Sequence, residues 1–171
     1  MSRTKQMIFS ALFLALALTL PFLTGQIPTF GKMLCPMHFP VLLCAFLCGP
    51  FWAGAVGLTA PLLRFVLFHA PMMPNAAAMS AELMTYGLVC GILYRLLPKK
   101  FGFSYAALIT AMISGRLVWG VVTLIISGIN SNPFTFSAFV SSAVTESLPG
   151  IILQILLIPP VTLIFKKYTS K

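Results

Sequence analysis

The sequence predicts an all-α integral membrane protein: one compact bundle of six transmembrane helices, a single domain over residues 1–171 with both termini in the cytoplasm. Three observations lead there. Of the 171 residues 59% are hydrophobic and 8% charged, and the mean hydropathy is +1.01. Soluble domains carry about 25% charged residues, so this chain has too little polar surface to face water. Apolar runs of about 20 residues, the length that crosses a bilayer, recur along it. Finally, eleven Lys and Arg outweigh two acidic residues, for a net charge of +9. In a soluble protein that excess would point to nucleic acid. Here the basic residues stand at the ends of apolar runs, where they orient a protein in the membrane, and no nucleic-acid partner is expected.

Taken in order, the predicted spans cover about residues 7–24, 37–49, 51–69, 76–97, 103–128 and 137–165. The stretch 36–70 is too long for one helix, and Gly49-Pro50 is a turn signal near its middle. Splitting it there satisfies the positive-inside tendency. With six spans, Arg3, Lys5, Arg95, Lys99, Lys100, Lys166, Lys167 and Lys171 are cytoplasmic and only Lys32 is outside. Five spans would put Arg95, Lys99 and Lys100 on the side opposite the N-terminus. A cleaved leader is the other reading of the first run, since Arg3 and Lys5 make a basic start; the run is long for such a leader, and its removal would leave five spans. Cys44, Cys48 and Cys90 fall inside apolar runs and read as packing residues, not as a disulfide framework. The linkers are short and no Walker loop or dinucleotide fingerprint occurs, so ATP-driven work would fall to a partner. No cofactor is expected.

Charge inside the spans is the functional signal. Arg64, Glu82, Arg116 and Glu146 lie within apolar runs and include both acidic residues of the chain. A charge near the bilayer centre costs about 2.5–3.5 kcal/mol on insertion scales, so such groups pair or face water. In the six-span reading all four fall in the middle or outer half. One account is two structural ion pairs, Arg64 with Glu82 and Arg116 with Glu146, or the reverse. The other is an outward-opening pocket in which an arginine receives an anionic group through its planar fork. Trp119, three residues after Arg116, and Tyr86, four after Glu82, share faces with those charges and could wall the pocket or simply pack. Gln154 reads as an interhelical hydrogen-bonding group. The connections "HAPMMPN" (His69 to Asn75) and "GINSNP" (Gly128 to Pro133) are candidate lids or plain loops, and Asn75 is a candidate binding residue.

Small residues mark a possible helix contact. Ala11 and Ala15 on the first span have the small-x-x-x-small spacing that lets helices approach closely in lipid, as do Gly87 and Gly91 on the fourth. Gly54 and Gly57 are expected to loosen the third span, and most of these small residues to serve packing within the bundle.

With six short spans, Ala11-x-x-x-Ala15, "MHFPVLL" (Met37 to Leu43) opening the second helix and "CGPFWAGAVG" (Cys48 to Gly57) at the next turn, the chain resembles, over essentially its whole length, the substrate-binding S components of energy-coupling-factor (ECF) vitamin importers. The resemblance implies a non-catalytic subunit of the cell membrane, of bacterial type. Such a subunit captures a micronutrient outside and docks through its first helix, here Ala11 and Ala15, on a transmembrane coupling protein with two cytoplasmic ATPase subunits. The Met-His-x-Pro-Val opening is most similar to pantothenate-type members, whose solute carries a carboxylate that Arg64 or Arg116 would suit. Riboflavin, thiamine precursors, folate and niacin use related scaffolds. The substrate-binding residues expected are His38, Arg64, Asn75, Glu82, Tyr86, Arg116, Trp119 and Glu146.

The stretch "KMLCPMHFP" (Lys32 to Pro40) admits a rival. Cys35, Met37, His38, His69, Met72 and Met73 include soft donors for transition-metal uptake. Metal members of the same importer group use a Met-His start at a free N-terminus, whereas Met37-His38 is internal. Three donors within four residues also cannot all reach one ion without an irregular backbone. The preferred reading makes His38 a hydrogen-bonding wall at the pocket rim and leaves Cys35 and Met37 to packing. A membrane enzyme has no support from any nucleophile-base or His-Glu-x-x-His pattern. A non-transporting assembly or scaffold protein is the remaining alternative.

Overall fold

The computed structural model of the protein describes residues 2–23, 35–98, 101–129, 141 and 148–169. Among these residues it is all-helical. The helices are α1 (Arg3–Leu23), α2 (His38–Leu47), α3 (Pro50–Phe68), α4 (Asn75–Leu96), α5 (Phe101–Ile129) and α6 (Leu148–Thr169). Helices α1, α3, α4 and α5 are each long and apolar enough to cross a membrane. Glu146, Lys32, Lys99, Lys100 and most of "GINSNP" lie outside the described residues.

Helix α2 has only 10 residues. At 1.5 Å per residue it is about 15 Å long, half the hydrocarbon thickness. It is nonetheless apolar nearly throughout, because protein covers it on all sides. His38 and Pro40 through Phe46 are all buried, and α2 packs against α1, α3, α4 and α6. Such a helix need not span lipid by itself. Its effect is to put its first residue, His38, deep inside the bundle. Pro40 falls in the first turn, where an N–H has no intrahelical acceptor to lose.

The break between α2 and α3 is chemical. The N–H groups of Cys48 and Gly49 both donate to Cys44 O, at 2.7 and 3.2 Å, which closes α2. Gly49 then has φ +97°, a conformation favouring glycine, and Pro50 opens α3 with a φ already suited to a helix. The Arg95 guanidinium lies where a Cβ on Gly49 would stand.

Helices α3 and α4 run antiparallel at very close range. A Cβ on Gly57 would strike the Leu83 backbone, one on Gly87 would come within 2.5 Å of Ala53 C, and one on Gly91 within 2.6 Å of Pro50 Cα. Gly57, expected to loosen the third span, instead lets it pack tightly, the use expected of most of these small residues. Small residues let helix backbones meet and gain dispersion contact in lipid, where burial itself offers little drive. The shared core is completed by Phe13 and Ala17 of α1, Leu108, Ala111 and Met112 of α5, and Ile158 of α6. We call the end of the bundle carrying the 69–75 connection the upper end, and the opposite end the lower.

Candidate functional site

Two turns below the upper end of α4, Glu82 is 1% exposed, and three side chains converge on its Oε1. The Tyr86 hydroxyl, one turn lower on the same helix, donates to it at 3.0 Å. Arg116 of α5 approaches with Nη1 at 3.1 Å. His38 of α2 brings Nε2 to 3.4 Å, an ion-pair distance without the alignment of a hydrogen bond. The His38 and Tyr86 rings also pack together, with centroids 5.2 Å apart. The site is thus built by α2, α4 and α5.

Local sequence explains why they meet. The i, i+4 spacing puts Glu82 and Tyr86 on one face. On α5, Gly115 leaves room for the Tyr86 ring, which a Cβ there would overlap. The neighbouring residue, Arg116, is thereby brought level with Glu82. The Cys35 backbone is left-handed, with φ +46°, and its carbonyl accepts the His38 N–H at 3.0 Å. That turn places Cys35 Sγ 3.7 Å from Arg116 Nη2, which donates to it.

Electrostatically the site pairs one carboxylate with one guanidinium inside apolar surroundings. Charges taken out of water this way are tolerated only when paired and hydrogen-bonded. Several of its polar atoms nevertheless lack a hydrogen-bond partner among the described residues: His38 Nδ1 and Nε2, and Arg116 Nε. The unused Nε–H of Arg116 lies on the same edge of the guanidinium as Nη2, whose acceptor is only a weakly accepting sulfur. One full edge of a bidentate donor is therefore unpaired or weakly engaged. The Arg116 side chain is 16% exposed against 2% for Glu82, so it is the more accessible partner of that ion pair.

Of the two pairings open to sequence reasoning, the structure contains Arg116 with Glu82. Arg64 is elsewhere: its Nη1 donates to Leu18 O at 2.8 Å, and its guanidinium lies 5.1 and 5.8 Å from the Phe22 and Phe68 ring centroids. It is 5% exposed and ties α3 to α1. The expectation that Cys35 only packs is corrected by its contact with Arg116, whereas Met37 is a core residue, 4% exposed. Trp119 is half-buried one turn above Arg116, and Asn75 is exposed at the top of α4. Gln154 is buried on α6, while Ala11 and Ala15 are exposed on α1 and Ala17 faces the core. Met72 and Met73 are exposed in the 69–75 connection and His69 ends α3. Among the described residues no three His, Cys, Asp or Glu side chains group to hold a metal.

Sequence reasoning missed Thr123 and Ser127 on α5. They line a cleft of about 120 Å³ at the upper end, together with Pro74, Asn75, Ala78 and Ile126. The available signal was their place on the Arg116–Trp119 face, at steps of four residues.

Four long apolar helices around a buried ion pair, with polar atoms left to spare, define a multi-pass membrane protein with an internal polar site. The family model for the ECF transporter substrate-specific component matches residues 5–162, and the chain belongs to that family. Membership makes it a substrate-binding subunit of a transporter, implying a small-molecule substrate and association with transmembrane and ATPase modules of the ECF type. Comparison with curated proteins and with solved structures gives no match.

Proposed function

We propose that this subunit captures a vitamin-type micronutrient at the upper end, facing the outside of the cell membrane, and delivers it inward with an ATP-driven coupling module. In this reading the chain spans the membrane six times with both termini inside, and it performs no catalysis of its own. The observation that carries it is the unpaired edge of Arg116 beside the buried Glu82–Tyr86–His38 cluster. A carboxylate arriving there would displace the Cys35 thiol and accept from Nε and Nη2 together, a geometry only arginine offers. Glu82, held on Nη1, and Tyr86 fix the guanidinium so that its unpaired edge is ready before the solute arrives. His38 supplies a further polar wall. Pantothenate, which carries a carboxylate, is the solute this reading favours.

The test is mass spectrometry of the small molecule that copurifies with the protein, followed by calorimetry with it. Arg116→Ala should weaken binding by about 2–5 kcal/mol, the cost of truncating one partner of a buried charge pair. Normal binding by that variant would remove Arg116 from the site. The absence of any copurifying solute, with no calorimetric binding of common vitamins, would favour a scaffold role.

A further inference from the structure

A second polar atom on α5 is left without a partner. The Thr123 hydroxyl oxygen is buried and makes no hydrogen bond among the described residues. Helical threonines ordinarily settle this locally. Thr19, Thr59 and Thr85 of this chain each donate to the carbonyl four residues earlier, at 3.0, 2.8 and 2.8 Å. Thr123 does not, and its side chain lines the upper cleft with Asn75 and Ser127. An orphaned buried hydroxyl is destabilising, so its retention beside a cavity points to an external partner.

Thr123 lies seven residues above Arg116, whose Nε is the other orphan on this helix. Seven residues are two turns, which puts both on one face about 10 Å apart. Trp119 stands between them on that face. Facing them on α4, Asn75, Ala78, Glu82 and Tyr86 follow one another at steps of three or four. The facing positions of the two helices thus run from an ion pair below to a hydroxyl-lined cleft above. The described residues lining the upper cleft include no ionisable side chain. A charged group would be poorly solvated there, while a hydroxyl or amide would find partners in Thr123, Asn75 and Ser127.

We infer that Thr123, with Asn75 and Ser127, forms a second subsite. The solute is then an elongated molecule with a carboxylate on Arg116 and an uncharged hydroxyl or amide group about 10 Å away in the upper cleft. The inference rests on the solute-binding reading above and adds to it the shape and polarity of what is bound.

The test uses the purified full-length protein with four probes: pantothenate, which carries both groups; β-alanine, which offers the carboxylate end alone; and thiamine and riboflavin, which lack the carboxylate. Thr123→Val keeps the side chain's shape and removes the hydroxyl. It should bind pantothenate at least about tenfold more weakly, while Thr123→Ser stays near wild type. β-Alanine should bind weakly and equally to wild type and to Thr123→Val. Without solute, Thr123→Val should melt at or above the wild-type temperature, because an unsatisfied hydroxyl has gone. A lower melting temperature for Thr123→Val would mean the hydroxyl holds the fold and would overturn the inference. Pantothenate binding within twofold of wild type would overturn it and leave the solute-binding reading standing, as would binding of thiamine or riboflavin in place of pantothenate. Failure of all four probes, with no copurifying solute, would overturn both.

Discussion

Tyr86 and Glu82 show how much of the site rests on single atoms. Oε1 of Glu82 accepts the Tyr86 hydroxyl and faces Arg116 and His38 at once. A hydrogen bond to a charged group contributes about 1.5–3 kcal/mol, so Tyr86→Phe should lower stability by that order. Glu82→Gln should cost more, about 3–5 kcal/mol, because it leaves the Arg116 charge buried without its counter-ion. Denaturant titration followed by tryptophan fluorescence would rank the two; a Glu82→Gln protein as stable as Tyr86→Phe would mean that the ion pair contributes no net stability. Arg64 makes the contrasting case. Its guanidinium meets the Leu18 carbonyl and two phenyl faces, with no carboxylate beside it among the described residues. Four charges within apolar runs were visible in the sequence, but the separate environments of Arg64, Glu82 and Arg116 depend on neighbours far away along the chain.

At the scale of helices, two kinds of small-residue surface occur. Gly57, Gly87 and Gly91 bring α3 and α4 into backbone contact, and that surface is consumed within the bundle. Ala11 and Ala15 are exposed on α1, beside the exposed Met7, Ile8 and Leu12. The two surfaces should respond oppositely to bulk. Gly87→Leu forces α3 and α4 apart and should lower thermal stability by roughly 1–3 kcal/mol or more, as overpacking does. Ala15→Trp should leave the isolated subunit as stable as wild type, yet abolish its copurification with the transmembrane coupling protein. If the Ala15→Trp subunit still assembles, α1 is not the docking helix. Spacing alone could not separate these surfaces. The same small-x-x-x-small pattern serves both, and only the packing of α3 on α4 tells which one is already occupied.

For the molecule as a whole, the proposed six crossings put Arg3, Lys5 and Arg95 at one end and the binding seam at the other. Reporter fusions at the N-terminus and after Lys171 should both report the cytoplasm, and a cysteine at Asn75 should react with a membrane-impermeant maleimide from outside the cell. Reporters that place the two termini on opposite sides would exclude an even number of spans. The apolar runs, the Gly49-Pro50 break and the helical class were legible because they follow from local chemistry: hydropathy over about 20 residues, a missing N–H, a glycine-favouring φ. The site was legible only in its ingredients. Glu82 with Tyr86 could be read from an i, i+4 step, but no periodicity links His38, Glu82 and Arg116, which come from three helices.

The sequence by itself determined that this chain is a helical membrane protein, that its long apolar stretch breaks at Gly49-Pro50, and which few polar residues had to be accounted for. Its composition leaves no alternative solvent, and proline and glycine act on the backbone where they stand. The tertiary structure decided which arginine meets Glu82, that Arg64 serves as a tie between α1 and α3, and that Cys35 touches the site. It also exposed the unpartnered Arg116 Nε and Thr123 hydroxyl two turns apart. Those outcomes depend on distances of 3–4 Å between residues as much as 81 positions apart in the chain, set by a buried ten-residue α2 and by Gly115 making room for one tyrosine ring.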